Sequence, residues 1–131
     1  MKELPGLELS KEIKDDLKAI AARFGEDARK FEQFAKLVEA ELYRIRSNPE
    51  DCGAPCRFEP LASAGYRKVK FYSDRQLQRT PGAKPDLRII YRYLKDKNLV
   101  QIFVIAPRIN TRPRQPGDAY EIAKARMFET S

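Results

Sequence analysis

The sequence has no histidine among its 131 residues, and it has only two cysteines. Without histidine, a pair of imidazoles is excluded as the acid and base of a reaction. Cys52 and Cys56 stand in "CGAPC", whose three intervening residues differ from the CxxC spacing of redox and zinc sites. A closed zinc site would therefore need carboxylates or a second chain. We interpret both cysteines as ordinary thiols, because disulfides are rare in the cytosol.

Long hydrophobic runs are also missing from the sequence. The most apolar stretch, "IFVIA" at 102–106, has the length of a strand and is too short to cross a bilayer. The opening residues "MKELPGLELSKE" are charged where a secretory signal needs an apolar core. We therefore expect a cytoplasmic protein that does not use a membrane as a partner.

Positive charge is abundant and unevenly distributed. The formal net charge is +7, and Lys and Arg far outnumber carboxylates over 57–114, whereas the first fifty residues are nearly balanced. A folded domain this basic commonly meets phosphate, either in nucleic acid or at an anionic membrane surface. The length and the 42% hydrophobic content fit one domain over 1–131 with one core.

The first half of the chain has a helical period. Ser10 is the expected N-cap of a helix that runs to about Phe24 and stops at Gly25. A second helix is expected to follow its N-cap Asp27 and to end before Pro49. The apolar stripes of the two helices are Ile13, Leu17, Ile20, Ala21 and Phe24, then Phe31, Phe34, Ala35, Val38, Leu42 and Ile45. Joined by a tight glycine turn, these helices form an antiparallel hairpin with one apolar side.

The second half changes to the period of strands. Strands are predicted near 66–72, 87–94 and 99–106, with short candidates in "LEL" and "CRFEPL" and a hairpin turn in "KDKN". The stretches 73–86 and 107–117 are predicted to be loops, and "AYEIAKARMF" is predicted to be a short helix capped by Asp118. The expected fold is α+β: an N-terminal antiparallel helical hairpin packed on an antiparallel β-sheet, with a short C-terminal helix.

One predicted strand places lysines and tyrosines on a single face. In "GYRKVKFYSDRQ" the residues suited to the core are Val69 and Phe71. The opposite face carries Tyr66, Lys68, Lys70 and Tyr72. If the helices cover the Val69 side, the lysine side is open and forms a basic surface that bears tyrosines.

Three segments carry a family resemblance by their order and spacing: "YRKVKF", "LRIIYRYLKDKNLVQIFVIAPR" and "DAYEIAKARM". In this order they resemble the RelE/ParE superfamily of bacterial toxins, the toxin halves of type II toxin–antitoxin pairs. The part over 67–93 is most similar to HigB-like members. The resemblance implies a RelE-like fold and an antitoxin protein as partner, with DNA contacted only through the antitoxin complex.

The RelE branch is implied to cut messenger RNA on the ribosome with lysine, arginine and tyrosine. Carried over to this sequence, the catalytic residues are Lys68, Lys70, Arg88, Arg108 and Tyr120, with Arg112 and Arg114 as alternatives to Arg108. Further nucleic-acid contacts are expected from Arg67, Tyr72, Arg75, Arg79, Arg112 and Arg114. ParE-like members are implied to poison DNA gyrase instead, and a fold does not settle which chemistry its site performs.

The residue types allow RNA cleavage without a metal. We expect neither a metal nor another cofactor. The acidic residues of the second half, Asp74, Asp86, Asp96 and Asp118, fall in separate loops and form no carboxylate pair. Tyrosine, whose reference pKa is about 10, becomes a better base when neighbouring cations lower its pKa. Two other hypotheses stay open at this point: a basic face that binds nucleic acid without reaction, and a toxin that binds gyrase without catalysis.

Overall fold

The computed structural model describes residues 3–109 and 116–130, except the side chains of 128–130. The strands are β1 (Gly6–Leu9), β2 (Ala54–Pro55), β3 (Arg67–Phe71), β4 (Leu87–Leu94) and β5 (Leu99–Pro107). The helices are α1 (Ile13–Ala21), α2 (Ala28–Ser47), α3 (Arg75–Arg79) and α4 (Ala119–Thr130), with 3₁₀ turns at Ala22–Phe24 and Lys95–Lys97. In these two ranges no helix is long and apolar enough to span a bilayer.

The five strands form one sheet in the order β1-β5-β4-β3-β2. The predicted antiparallel meander is confirmed: β3 pairs with β4 and β4 with β5 in antiparallel register, and β2 extends it. Asn98, with φ of +46°, closes the turn between β4 and β5. The sheet is mixed, however, because β1 lies parallel to β5 at the edge. The chain leaves β1 through the helical hairpin, and this long connection allows a parallel pairing that no tight turn could make.

The helical hairpin covers one face of the sheet, as predicted. Its turn is set by Gly25, whose φ of +62° suits glycine, and by Asp27, whose carboxylate accepts the Arg29 and Lys30 N–H groups at 3.1 and 3.2 Å. The core on this face contains Ile13, Ile20, Phe34, Val38, Ile45, Cys52, Val69, Phe71, Leu87, Ile89, Tyr91, Val100, Ile102 and Ile105.

Details of the helical prediction were wrong. Ser10 does not cap α1, since its Oγ donates to the Phe103 carbonyl at 3.0 Å and the helix begins only at Ile13. Phe31 is 53% exposed, and Ala35 is exposed as well, so the buried stripe of α2 is narrower than its apolar stripe. Because α2 meets the sheet along one line, residues at the rim of that stripe stay in water.

Two predictions outside the helices were also wrong. "CRFEPL" contains no strand; β2 lies just before it and pairs Ala54 with Lys68 and Pro55 with Arg67. The stretch 73–86, predicted to be a loop, contains α3, whose N-cap carboxylate is that of Asp74.

The face that carries the lysines is not open along its whole length. A second core fills it with Cys56, Leu61, Tyr66, Ile90, Val104, Ala106, Ala119, Tyr120 and Ala123. The prediction of an open face failed because Ile90 and Val104 also point to this side and need apolar cover, which α4 supplies. Of the two lysines, Lys68 is half-buried beside this core and Lys70 is exposed.

Candidate functional site

A cluster of cations occupies the end of the lysine face where β4 begins and β5 ends. Strand register places Lys70 opposite Arg88, and Arg88 opposite Ala106. Arg108 follows β5 and is fixed there, because its backbone N–H donates to the Asp86 carbonyl and its Nη1 to the Pro85 carbonyl, both at 2.9 Å. We call Lys68, Lys70, Lys84, Arg88 and Arg108 the basic cluster.

The charges of the other four members of the basic cluster act on Lys70. The pKa of Lys70 is lowered from 10.5, first by the charge of Arg108, then by partial burial and by the charges of Arg88, Lys68 and Lys84. Bringing like charges together costs free energy that a bound anion would offset. The nearby carboxylate of Asp86 is used elsewhere: it accepts two hydrogen bonds from Ser73 and lies 3.6 Å from Arg23.

Tyr120 lies beneath this cluster at the start of α4. The Arg88 Cζ lies 4.0 Å from the centroid of the Tyr120 ring and the Lys68 Nζ lies 5.3 Å from it, in cation–π geometry. The ring is 1% exposed and its hydroxyl oxygen is buried. The structure therefore brings Tyr120 to two predicted partners, with the ring face rather than the hydroxyl turned to them.

The position of Tyr120 follows from the cap of α4. The fully buried carboxylate of Asp118 accepts the Tyr120 N–H at 2.9 Å and the Ile109 N–H at 3.0 Å. The predicted cap is thus confirmed, and it also ties the start of α4 to the residue that follows Arg108. One buried carboxylate therefore links the placement of the tyrosine to that of the arginine.

A cavity of about 510 Å³ adjoins the basic cluster on its β2 side. Its lining residues are Gly53, Ala54, Arg57, Phe58, Lys68 and Lys70. Gly53 has φ of +66°, and a Cβ there would stand 2.1 Å from the Lys68 carbonyl oxygen, so the chain packs tightly on β3 beside the cavity. Sequence reasoning missed Arg57, Phe58 and Lys84 as site residues. For the first two, the only signal was an arginine next to an aromatic residue in a segment without clear period.

Cys56 lies on the inner side of this site. Burial raises the pKa of its thiol to about 11, although the charges of Lys68, Arg88 and Arg67 oppose that rise. A thiol with so high a pKa is protonated at neutral pH and is a poor nucleophile. Cys56 therefore contributes packing to the site, which agrees with the interpretation of both cysteines as ordinary thiols.

Two of the other residues expected to contact nucleic acid, Arg67 and Tyr72, are hydrogen-bonded elsewhere. Arg67 lies on the hairpin side of the sheet, where it donates to the Cys52 carbonyl and to the Tyr91 hydroxyl at 3.2 Å. The hydroxyl of Tyr72 donates to the Ala83 carbonyl at 2.8 Å and holds the loop after α3. The arginines of α3, Arg75 and Arg79, are exposed. Arg112 and Arg114 lie outside the described residues. Within the described ranges, no group of three or more Cys, Asp or Glu side chains is placed to hold a metal ion.

Comparison with known proteins identifies a family by sequence and a shared fold by structure. The family model described as the ParE toxin of type II toxin–antitoxin system, parDE, matches residues 7–109. No curated protein matches the chain significantly by sequence.

Solved toxin structures share the fold at low sequence identity. A mutant of the Escherichia coli toxin RelE in the free state has a TM-score of 0.52 at 12% identity, over 98% of this chain and 98% of that one. The RelBE2 toxin–antitoxin complex from Mycobacterium tuberculosis has a TM-score of 0.52 at 17% identity, over 81% of this chain and 100% of that one. Isolated E. coli RelE has a TM-score of 0.50 at 14% identity, over 94% and 98%.

Proposed function

Because the chain belongs to the ParE toxin family of type II toxin–antitoxin systems, within the RelE/ParE superfamily, we propose that it is a metal-independent endoribonuclease that cuts messenger RNA on the ribosome. The observation that carries this proposal is the basic cluster, in which four cations converge on Lys70 at an exposed edge of the site. Such a cluster suits the doubly ionised phosphorane that forms when a 2′-hydroxyl attacks the adjacent phosphate.

We assign each step of the reaction to particular residues of the basic cluster. The 2′-oxygen attacks phosphorus, the bond from phosphorus to the 5′-oxygen breaks, and the products are a 2′,3′-cyclic phosphate and a 5′-hydroxyl. Arg88 and Arg108 stabilise the charge that develops on the phosphoryl oxygens. Lys70 is suited to give a proton to the departing 5′-oxygen, because its lowered pKa lies closer to neutrality than that of an ordinary lysine.

Tyr120 is the candidate base that takes the proton from the 2′-hydroxyl. The Arg88 and Lys68 side chains lie over its ring and are placed to stabilise negative charge that develops there. Its hydroxyl is buried, so contact with the substrate requires a local rearrangement around the hydroxyl on binding. Catalytic contacts that form only in the complex are common, and unbound geometry does not exclude a base.

The proposed partners follow from the same assignment. The M. tuberculosis relative was solved as a toxin–antitoxin complex, and we expect an antitoxin to hold this chain inactive too. In that complex the antitoxin would make the contacts to DNA. The free toxin would bind messenger RNA in the ribosome through phosphate contacts, which are salt-sensitive and independent of sequence.

A second candidate is inhibition of DNA gyrase without catalysis. The match to a ParE family model and the burial of the Tyr120 hydroxyl favour it. In that case the basic cluster would be a docking surface, and loss of the tyrosine hydroxyl would leave toxicity unchanged.

Cleavage of ribosome-bound messenger RNA by the purified protein tests the proposal. Tyr120→Phe and Lys70→Ala should each lower the cleavage rate by roughly 10²- to 10⁴-fold, the usual contribution of a general acid or base. Lys97→Ala is the matched control, since Lys97 is an exposed lysine in the β4–β5 turn at the other end of β4. The new 3′ ends should carry a 2′,3′-cyclic phosphate and the new 5′ ends a hydroxyl.

Two results would contradict parts of this assignment. If Tyr120→Phe cuts as fast as the parent, the tyrosine is structural and another group is the base. If the parent cuts no RNA while it blocks DNA supercoiling by gyrase, the second candidate replaces the first.

A further inference from the structure

Phe58 is an exposed aromatic residue in a segment that also contributes buried residues to the second core. It is 45% exposed and lines the cavity of about 510 Å³ together with Arg57, Lys68 and Lys70. Cys56, two residues before it, and Leu61, three residues after it, are 3% and 0% exposed. The cavity therefore combines one aromatic ring with three cationic side chains.

The position of Phe58 is fixed by the fold of its own segment. The Cys56 N–H donates to the Tyr66 carbonyl at 3.0 Å, and the Tyr66 N–H donates to the Leu61 carbonyl at 3.1 Å. The Ala62 N–H donates to the Phe58 carbonyl at 2.9 Å. These bonds close the segment on itself above the second core, so the exposed ring is held by the backbone on both sides rather than carried by a free loop.

A nucleotide of single-stranded RNA has the two groups that this cavity can bind. Every base has a π-face that stacks on an aromatic side chain, and each phosphate is an anion that lysine and arginine contact. We propose that the cavity is a nucleotide subsite in which one unpaired base stacks on Phe58 while Arg57 and Lys70 contact the flanking phosphates. This inference rests on the proposed function, because Lys70 links the subsite to the reacting phosphate.

Shielding of Tyr120 by Phe58 explains less of the geometry around Phe58 than binding of a nucleotide does. The rings of Phe58 and Tyr120 form a T-shaped contact, with centroids 5.4 Å apart and planes at 63°, and this contact shields the tyrosine. Almost half of Phe58 nevertheless stays exposed to water. Shielding alone would not need three cations around the same opening, whereas a stacked nucleotide uses both features.

Tryptophan fluorescence tests stacking directly, because the chain has no tryptophan. Phe58→Trp introduces a single indole at the subsite, and a short 2′-O-methyl oligonucleotide, which cannot be cleaved by 2′-hydroxyl attack, is the probe. Stacking should quench the indole as the oligonucleotide binds. Phe31→Trp is the matched control, since Phe31 is 53% exposed on α2 and should not respond.

Affinity tests the same subsite without tryptophan. Phe58→Leu keeps apolar cover over Tyr120 and removes the stacking surface, so the Kd for the oligonucleotide should rise about 5- to 150-fold. An abasic oligonucleotide of the same length should bind the parent and Phe58→Leu equally, because it offers phosphates alone. A melting temperature equal to that of the parent would show that Phe58→Leu is folded. If Phe58→Trp does not fold, the affinity of Phe58→Leu decides whether a base stacks on Phe58.

The results of these experiments distinguish the proposed nucleotide subsite from the proposed nuclease activity. Quenching in Phe58→Trp and weaker binding by Phe58→Leu, with no cleavage by the parent, would keep the subsite and reject the nuclease. Cleavage by the parent with no quenching and an unchanged Kd in Phe58→Leu would reject the subsite and keep the nuclease. Failure of the parent to bind the oligonucleotide at low salt would overturn the subsite.

Discussion

At the residue scale, Lys70 shows how neighbouring charges set the chemistry of one side chain. Arg108, Arg88, Lys68 and Lys84 disfavour its protonated form, so its pKa lies below 10.5. A bound phosphate has the opposite effect and favours the protonated form. Phosphate binding at Lys70 is therefore coupled to uptake of a proton whenever the solution pH lies above the pKa of the free lysine.

This coupling predicts a pH dependence of RNA affinity. Affinity should fall as pH rises through the pKa of free Lys70, at a lower pH than an ordinary lysine would give, because the neutral amine has lost its charge. In Lys70→Arg the charge persists at every accessible pH, so this decline should be absent from that pH range. Fluorescence anisotropy with a labelled 2′-O-methyl oligonucleotide measures both profiles. Identical profiles would mean that Lys70 does not contact phosphate.

At the scale of secondary-structure elements, a buried ion pair attaches α4 to α1 at the sheet edge. Past Leu9, the last residue of β1 in the pairing with β5, no strand of the described residues pairs with this edge of β5. There the Asp16 carboxylate accepts the Ile105 N–H at 3.1 Å, and Arg126 donates to the Phe103 carbonyl at 3.0 Å. Arg126 also pairs with Asp16 through both terminal nitrogens. Side chains thus take over hydrogen bonds that a longer β1 would have made.

Removing one member of this pair should destabilise the protein strongly. Arg126→Ala leaves the Asp16 carboxylate, whose side chain is 7% exposed, without its cation, and such changes cost about 3–5 kcal/mol. The free energy of unfolding in urea should fall by that amount. Lys124→Ala on the same helix is the control: its pair with Glu121 is 3.7 Å long and more than a third exposed at the lysine, so the cost should be about 0–1 kcal/mol. Equal losses in the two variants would contradict this account of α4.

At the scale of the whole molecule, the net charge of +7 and the family point to an antitoxin partner. We expect the antitoxin to carry an acidic or amphipathic segment that wraps the helical hairpin or covers the lysine face. Expression of the chain alone should slow bacterial growth, and co-expression of the antitoxin should restore it. Colony counts and growth curves measure both.

Variants connect this growth effect to the basic cluster. Lys70→Ala combined with Arg108→Ala should relieve toxicity, while Lys97→Ala should not. Normal growth at high levels of folded parent protein would argue strongly against a toxin that acts alone.

Local patterns in the sequence were sufficient to predict most helices and strands of the fold. The cap at Asp27, the break at Gly25 and the strands Leu87–Leu94 and Leu99–Pro107 depend on residues close in the chain, and all were predicted. The cap at Asp118 belongs to the same group. Such features are readable from sequence because capping, turn geometry and period involve neighbours within a few positions.

Tertiary structure alone decided the features that join distant segments. The parallel pairing of β1 with β5, the second core under α4 and the 53% exposure of Phe31 depend on which elements meet. The candidate site belongs to this class: the lysine pair on β3 was visible in the sequence, but the burial of Tyr120 and the exposure of Phe58 were not. Side-chain environment depends on contacts between residues far apart in the chain, and a local pattern states which residues can be buried without stating what will cover them.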